Sequence, residues 1–471
     1  MPYTPVRLHE ADTELSAALA AIPEKLGISR TFPAAVEAEA AAAARLAPLP
    51  DFDRTDIPFV TIDPAGATDL DQALFLSREG DGYRVFYAIA DVPAFVEPGG
   101  AIDTEARLRG QTIYAPDGRI PLHPTVLSEG VVSLLPGQLR GAYLWEFSLS
   151  SDATVTTARV YRARVQSREQ LDYEGVQQQL DAGTASENLQ LLKEVGIKRV
   201  ALEAARGGAS LRVPETEVEQ HDGGYTIVRR SPLAVEGWNA QLSLMTGMAA
   251  AKMMLDGSVG ILRTMPEADG VAETRFRRQA ATLRSPWPTG QRYGDYLREL
   301  DTSDPRQLAI MHAAASLFRG AGYTPFDGAP PEITMQAAVA APYAHVTAPL
   351  RRLVDRFGLV LCEALSAGEP VPAWVRSALP SLPAIMNASS SLAGQLDNKA
   401  LDVVEAAVLS TRVGERFSAT VLSMGKGYGT VQLEDPPVTA RCDGSLEPGA
   451  AVTVRLDAAE ISTGTVRFSV V

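Results

Sequence analysis

Hydrophobic positions change their period along this chain, and each change marks a different kind of element. Near the start they recur at helical spacing: Leu15, Leu19 and Ile22 share one side of a helix that Asp12 or Thr13 can cap and Pro23 stops. A second helix is predicted from Thr31, with Pro33 in its first turn, through an Ala/Glu stretch to Leu46. The pair reads either as a helix-turn-helix binding unit or as packing. From Asp51 the texture turns β-rich, with strands predicted at 57–62, 83–90, 143–149 and 155–165. Helical periods follow at 186–205, 239–255, 305–319, 349–365 and 392–409. Strands first and helices later define an α+β body with a mixed sheet. Alternation returns at 417–423, 429–433, 438–442, 451–456 and 465–470, joined by Gly-containing turns, which predicts a small OB-type β-barrel. Domain boundaries are therefore expected at 1–50, 51–410 and 411–471.

Composition narrows the classes. With 471 residues, 46% apolar and 21% charged, the chain is too apolar for a disordered protein and long enough for several domains. Lys+Arg 43 against Asp+Glu 57 gives a net charge of −14, which excludes a uniformly basic coat for nucleic acid but allows a locally basic channel. Cys362 and Cys442 make neither a disulfide framework nor a metal spacing, as expected in a reducing cytosol. The most apolar run, around 245–254, is broken by Lys252 and Asp256, so no membrane span is expected. The N-terminal stretch has no signal-peptide pattern. These features lead to the expectation of a cytoplasmic monomer without a membrane or an evident protein partner.

The densest chemistry lies at 61–74, TIDPAGATDLDQAL. A strand delivers Asp63, a Pro-Ala-Gly loop turns the chain, and Asp69 and Asp71 follow two apart. In extended backbone such residues point to the same side, so the three carboxylates are expected to converge. They then repel one another unless a divalent cation compensates them, and hard oxygen ligands favour Mg²⁺ or Mn²⁺. An Asp-rich solvated turn is the other reading of the same spacing.

This segment resembles the catalytic motif of the ribonuclease II (RNB) family of exoribonucleases, a TID strand followed by an acidic cluster. The likeness continues in order through VFYAIADVP (85–93), RGQTIYAPDGRIPL (109–122), LSEGVVSL (127–134), ILRTMP (261–266) and YAHVTAPLRRLVD (343–355). The C-terminal strands are similar to the S1-type OB barrel with which that family ends. The resemblance implies a Mg²⁺-dependent, processive 3′→5′ hydrolytic exoribonuclease that degrades single-stranded RNA to nucleoside 5′-monophosphates.

Carried over residue by residue, Asp63, Asp69 and Asp71 match three of the family's four acidic positions, and Gln72 stands at the fourth. An amide oxygen can ligate a cation but brings no charge. The resemblance makes Asp63, Asp69, Asp71 and Gln72 the metal set, with Asp71 the least replaceable. Arg351 matches an arginine whose guanidinium suits the charge gathering on a phosphoryl transition state. Taken alone, it reads as the partner of Asp355 four residues on. Tyr114 matches an aromatic that stacks on a base near the 3′ end, and Tyr173 a second substrate-facing tyrosine. Arg352, Arg356, Arg263 and Lys426 are expected to hold upstream phosphates. A clamp aromatic is missing at Ser210-Leu211-Arg212-Val213, and the family's E-E-x-M helix start reads Asn239-Ala240-Gln241-Leu242. His123 and His345 are expected to be structural.

Two expectations follow from what departs from the family. The cold-shock-type barrels that usually precede the catalytic body do not fit into fifty helical residues, so the channel mouth is expected to be open to RNA with some secondary structure. Gln72 keeps an alternative open, an RNA-binding protein of the same fold with weakened catalysis; another metal-dependent phosphoesterase is the remaining one.

Overall fold

The structure is a computed structural model and describes residues 12–46, 49–209, 215–221, 224–230, 232–301, 304–425, 427–436 and 438–471. The segment Ser210-Leu211-Arg212-Val213 and Lys426 lie outside the described residues.

The β-rich region closes on itself. Strands Phe59–Asp63, Gln72–Glu79, Gly82–Ala90, Leu139–Leu149 and Val155–Asp172 form a closed barrel. Neighbours run antiparallel except at the closure, where Phe59–Asp63 lies parallel to Val155–Asp172 and sets Asp63 opposite Asp172. Strand Gln72–Glu79 carries no clean alternation and escapes the sequence reading; both of its faces meet apolar neighbours along the first half. Gly82–Ala90 is buried almost throughout because both faces of the barrel are covered. Tyr83, Val85, Tyr87 and Ile89 face one core with Trp145 and Phe147, under helices Glu187–Arg206, Ala234–Asp256 and Leu353–Ala367. Phe86, Ala88 and Ala90 face a second core that takes Val36 and Ala40 from helix Ala34–Leu46.

Packing accounts for both N-terminal helices. Glu39 of Ala34–Leu46 accepts hydrogen bonds from the amides of Ala101 (2.6 Å) and Ile102 (3.2 Å), capping helix Ala101–Arg109. Helix Asp12–Lys25 inserts Leu15, Leu19 and Ile22 into a third core with helix Leu382–Leu409 and the C-terminal barrel. Pro23 does not end this helix at once: the helix runs two residues further, to Lys25. Helix Leu382–Leu409 starts ten residues before the expected 392, with Pro383 in its first turn, and helix Leu353–Ala367 starts after a tight turn at 348–352.

The C-terminal strands Arg416–Met424, Tyr428–Leu433, Thr439–Asp443, Ala451–Glu460 and Thr465–Val470 form a second closed barrel. Among the described residues no helix is long and apolar enough to cross a membrane.

Candidate active site

The acidic segment sits where the first barrel closes. Asp63 ends its strand, and Gly66 adopts φ +79° so that the amide of Ala67 can return to the carbonyl of Pro64 (3.1 Å). The following residues are pinned from outside: Ser133 Oγ donates to the carbonyl of Thr68 (2.7 Å) and accepts from the amide of Leu70 (2.9 Å). The amide of Ala90 bonds the carbonyl of Asp71 (2.9 Å), fixing where the loop enters the next strand. These bonds explain why LSEGVVSL and VFYAIADVP travel with the acidic motif.

The three aspartates do not converge as expected, because each has its own partners. Asp69 turns to the rim, where it accepts from the hydroxyl of Tyr114 (3.0 Å) and pairs with Arg119, which also reaches Glu129 (2.7 Å). Asp71 turns inward and is 2% exposed. Its Oδ1 accepts from the amide of Leu350 (2.8 Å). Its Oδ2 lies 3.2 Å from Arg351 Nε as an ion pair without hydrogen-bond alignment, so that buried oxygen has no hydrogen-bond donor. Burial pushes Asp71 up to about 8, against the pull of Arg351 and the Leu350 amide. Burial likewise raises Asp63 to about 7, with Arg351 opposing and Asp69 adding to the shift.

Gln72 spends its amide locally. Its Nε2 donates to the carbonyl of Thr347 (2.5 Å) and its Oε1 accepts from the hydroxyl of Tyr87 (2.9 Å). Among the described residues no three His, Cys, Asp or Glu side chains are grouped closely enough to hold a metal ion as they stand. The donor chemistry nevertheless fits one: the buried Asp71 and the partly buried Asp63 are held above the ordinary carboxylate range, and one buried oxygen of Asp71 faces no donor. A divalent cation would bind at Asp63 and Asp71, with Asp69 at the margin.

Around the acids, long-range contacts assemble the rest. The amide of Thr112 bonds the carbonyl of Arg351 (2.9 Å), and the amide of Leu353 bonds the carbonyl of Gly110 (3.0 Å). Hairpin Ile113–Ala115 and Gly118–Ile120 is thereby held beside Arg351, presenting Tyr114 with 49% exposure. The parallel closure brings Tyr173, the residue after Asp172, beside Asp63, and Asn239 Nδ2 donates to its hydroxyl (3.3 Å). Arg119, Ser133 and the Leu350 amide were not singled out in the sequence, though all three lie inside the quoted motifs; Asn239 was noted only as a departure from the family's helix start.

The arginines divide. Asp355 takes Arg352, not Arg351, with Nη2 2.7 Å from Oδ1. Arg263 lies 4.7 Å from the ring centre of Tyr323, whose hydroxyl bonds His345 Nδ1 (2.8 Å). The expectation for Arg356 is corrected: its side chain is 1% exposed, pairs with Asp103 and donates to the carbonyl of Val96 (2.7 Å). A phosphate cannot reach it. His123 is buried and pushed down to about 3 by that burial, and burial also lowers His345, so both are neutral structural groups.

A buried aspartate and a partly buried one, an arginine fork and an exposed tyrosine thus stand together where a closed barrel seals, in a chain that ends in an OB-type barrel. The RNB domain description matches residues 52–361, and the RNase II-type exonuclease C-terminal S1 domain matches 415–471. The chain belongs to the RNB family. It is 28% identical over 331 residues to "Probable exosome complex exonuclease RRP44" of Caenorhabditis elegans, covering 65% of this chain and 34% of that protein. It is 28% identical over 332 residues to ribonuclease R of Escherichia coli, covering 64% of this chain and 39% of the relative. The match thus spans well under half the length of either relative. The fold is similar to apo Mycoplasma genitalium RNase R, with TM-score 0.87, 17% identity, 97% of this chain and 78% of that one. Yeast Ssd1, a pseudonuclease, matches with TM-score 0.72, 17% identity, 95% of this chain and 57% of that one.

Proposed function

We propose that this chain is a Mg²⁺- or Mn²⁺-dependent 3′→5′ exoribonuclease that hydrolyses single-stranded RNA processively to nucleoside 5′-monophosphates. The observation that carries the reading is Asp71: a buried carboxylate with one donor-free oxygen, facing Arg351 below an exposed tyrosine. A bound cation would supply Lewis acidity and a low-pKa water at the scissile phosphate. Asp63 and Asp71 would hold it, and its charge would let both carboxylates ionise fully. Arg351 stands in as counter-charge to Asp71 and is free to turn its fork to the non-bridging oxygens as they gain charge. In this reading Tyr114 gives the terminal base a stacking face, Tyr173 borders Asp63, and Arg263 and Arg352 would serve upstream phosphates, Arg352 by exchanging its bond to Asp355. The working domain division is 1–50, 51–410 and 411–471, with the protein a monomer in the cytoplasm.

Gln72 favours a second reading. With a neutral, fully engaged amide at the fourth acidic position, the protein would grip RNA without turnover. Incubating 3′-labelled and 5′-labelled RNA with and without Mg²⁺ separates the two. Mononucleotides released from the 3′ end only with metal support the nuclease, and binding without turnover supports the second reading. Internal cuts would overturn both.

A further inference from the structure

Away from the acidic site, helices Glu187–Arg206 and Ala234–Asp256 and the start of strand Val155–Asp172 enclose a cleft of about 400 Å³. That volume is in the range that holds a small organic ligand, roughly 300–1,000 Å³. Asn239, beside Tyr173, and Met253, in the cleft wall, lie fourteen residues apart on one helix. At 1.5 Å per residue, the cleft runs from about 9 Å (Met245) to about 20 Å (Met253) along that helix from Asn239, and Asp63, Asp69 and Asp71 are not among its lining residues. It is a separate place.

Its polar wall is unusual. Arg199, Glu203 and Arg206 share one face of their helix at spacings of four and three residues. Arg199 is 4% exposed; its Nη1 donates to the carbonyl of Ala153 (3.1 Å), while its Nε has no hydrogen-bond partner. Arg206 leaves both Nε and Nη2 buried without a partner. Glu203 is a nearby counter-charge for both guanidiniums but already takes a hydrogen bond from Gln241 (2.6 Å), and Arg199 also feels the charge of Asp152. Burial, with the like charge of Arg206 adding, pushes Arg199 down to about 10. Buried donors left unmatched cost free energy that a bound acceptor recovers. At the mouth, Lys252 and Asp256 neutralise each other (2.7 Å), so neither satisfies the arginines. The opposite wall is apolar and soft, with Met245, Met248 and Met253. Methionine sulfur packs favourably against aromatic rings.

We propose that this cleft binds a small aromatic anion, its phosphate, sulfonate or carboxylate held by Arg199 and Arg206 and its ring lodged among the three methionines. The site does not depend on the nuclease reading, and nucleoside monophosphates are one source of such a ligand.

The test titrates the full chain in EDTA with 8-anilinonaphthalene-1-sulfonate, followed by fluorescence, and then with AMP as competitor. The expected result is one saturable site that AMP displaces. Arg206→Gln should weaken it at least tenfold with an unchanged circular dichroism spectrum, and Asp71→Asn should leave it intact. Should Arg206→Gln fail to fold, Met248→Glu places a negative charge in the cleft without touching either arginine and should abolish binding. Non-saturable fluorescence, affinity unchanged in Arg206→Gln and Met248→Glu, or loss in Asp71→Asn would each overturn the proposal.

Discussion

The molecule holds two five-stranded closed barrels, each sealed by one parallel pair, and they handle charge in opposite ways. Within the first, most buried acids are fully paired. Asp91 receives Arg162 through two bonds (2.8 and 2.6 Å), and Glu146 gathers Arg84 and Arg159. Asp71 is the exception, with a misaligned arginine and a donor-free oxygen. In the second barrel the arginines stand at the surface beside a carboxylate close by in sequence: Arg441 with Asp443 (3.1 Å) and Arg455 with Asp457 (2.9 Å). Such exposed pairs contribute about 0–1 kcal/mol and exchange readily with a passing phosphate. Charge kept buried and uncompensated marks a place for chemistry, and charge paired loosely at the surface suits transient contact.

The sharpest way to break this contrast is Asp71→Asn. It should lower RNA turnover by ~10³-fold or more while leaving RNA affinity and melting temperature close to wild type, since Asn keeps the size and the acceptor oxygen for the Leu350 amide and burial already holds Asp71 up to about 8. Activity retained in a labelled-RNA time course would take Asp71 out of the mechanism. Arg356→Ala tests the opposite case, a buried charge held by an aligned ion pair with Asp103 and a bond to the carbonyl of Val96. Asp103 would keep Arg107 (3.1 Å) and the Gly99 amide (2.9 Å), so the loss should cost about 3 kcal/mol in denaturant unfolding, with RNA affinity of the folded protein unchanged. Tyr114→Ala should raise KM for RNA by the ~1–3 kcal/mol that one stacked base is worth, and a KM equal to wild type would remove stacking from its role.

Glu405 sharpens the comparison at the base of the second barrel. Buried on helix Leu382–Leu409, it accepts from the amide of Thr439 (2.9 Å), and burial raises it to about 8. The folded protein therefore holds a proton that the unfolded chain has released, so stability falls as pH rises from about 4.5 to about 8. Glu405→Gln should melt like wild type at pH 5 and above it at pH 8; parallel melting curves would contradict the shift. The smallest effect is expected from Arg441→Ala with Arg455→Ala. Their removal should weaken RNA binding a few-fold and flatten its salt dependence by about 0.7 per lost phosphate contact.

Much of this architecture was legible because the local pattern and the global fold agree. The five C-terminal strands fall within a few residues of their expected bounds, since they are short apolar runs separated by Gly-containing turns. The first barrel was harder to see as closed, because strands buried on both faces lose alternation, as in Gln72–Glu79 and Gly82–Ala90. At the site, residue types were readable but partnerships were not. Asp355 chooses Arg352 over Arg351 through the turn at 348–352, and Arg356 finds Asp103 across 253 residues. Asp69 and Asp71 part because Arg119 and the Leu350 amide pull them to different sides. No spacing rule contains contacts made by tertiary folding.

Helix Asp12–Lys25 packs into the same core as the C-terminal barrel, and so do Ile113 and Ile120 of the hairpin that carries Tyr114 and Arg119. The first and last described segments of the chain are thereby clasped together beneath the rim of the acidic pocket. Swinging the terminal barrel outward would wet Leu15, Leu19 and Ile22 and loosen the footing of that hairpin in one motion. The entrance on this side is a braced wall, and a lesion in the earliest helix would be felt as a misplaced tyrosine at the pocket.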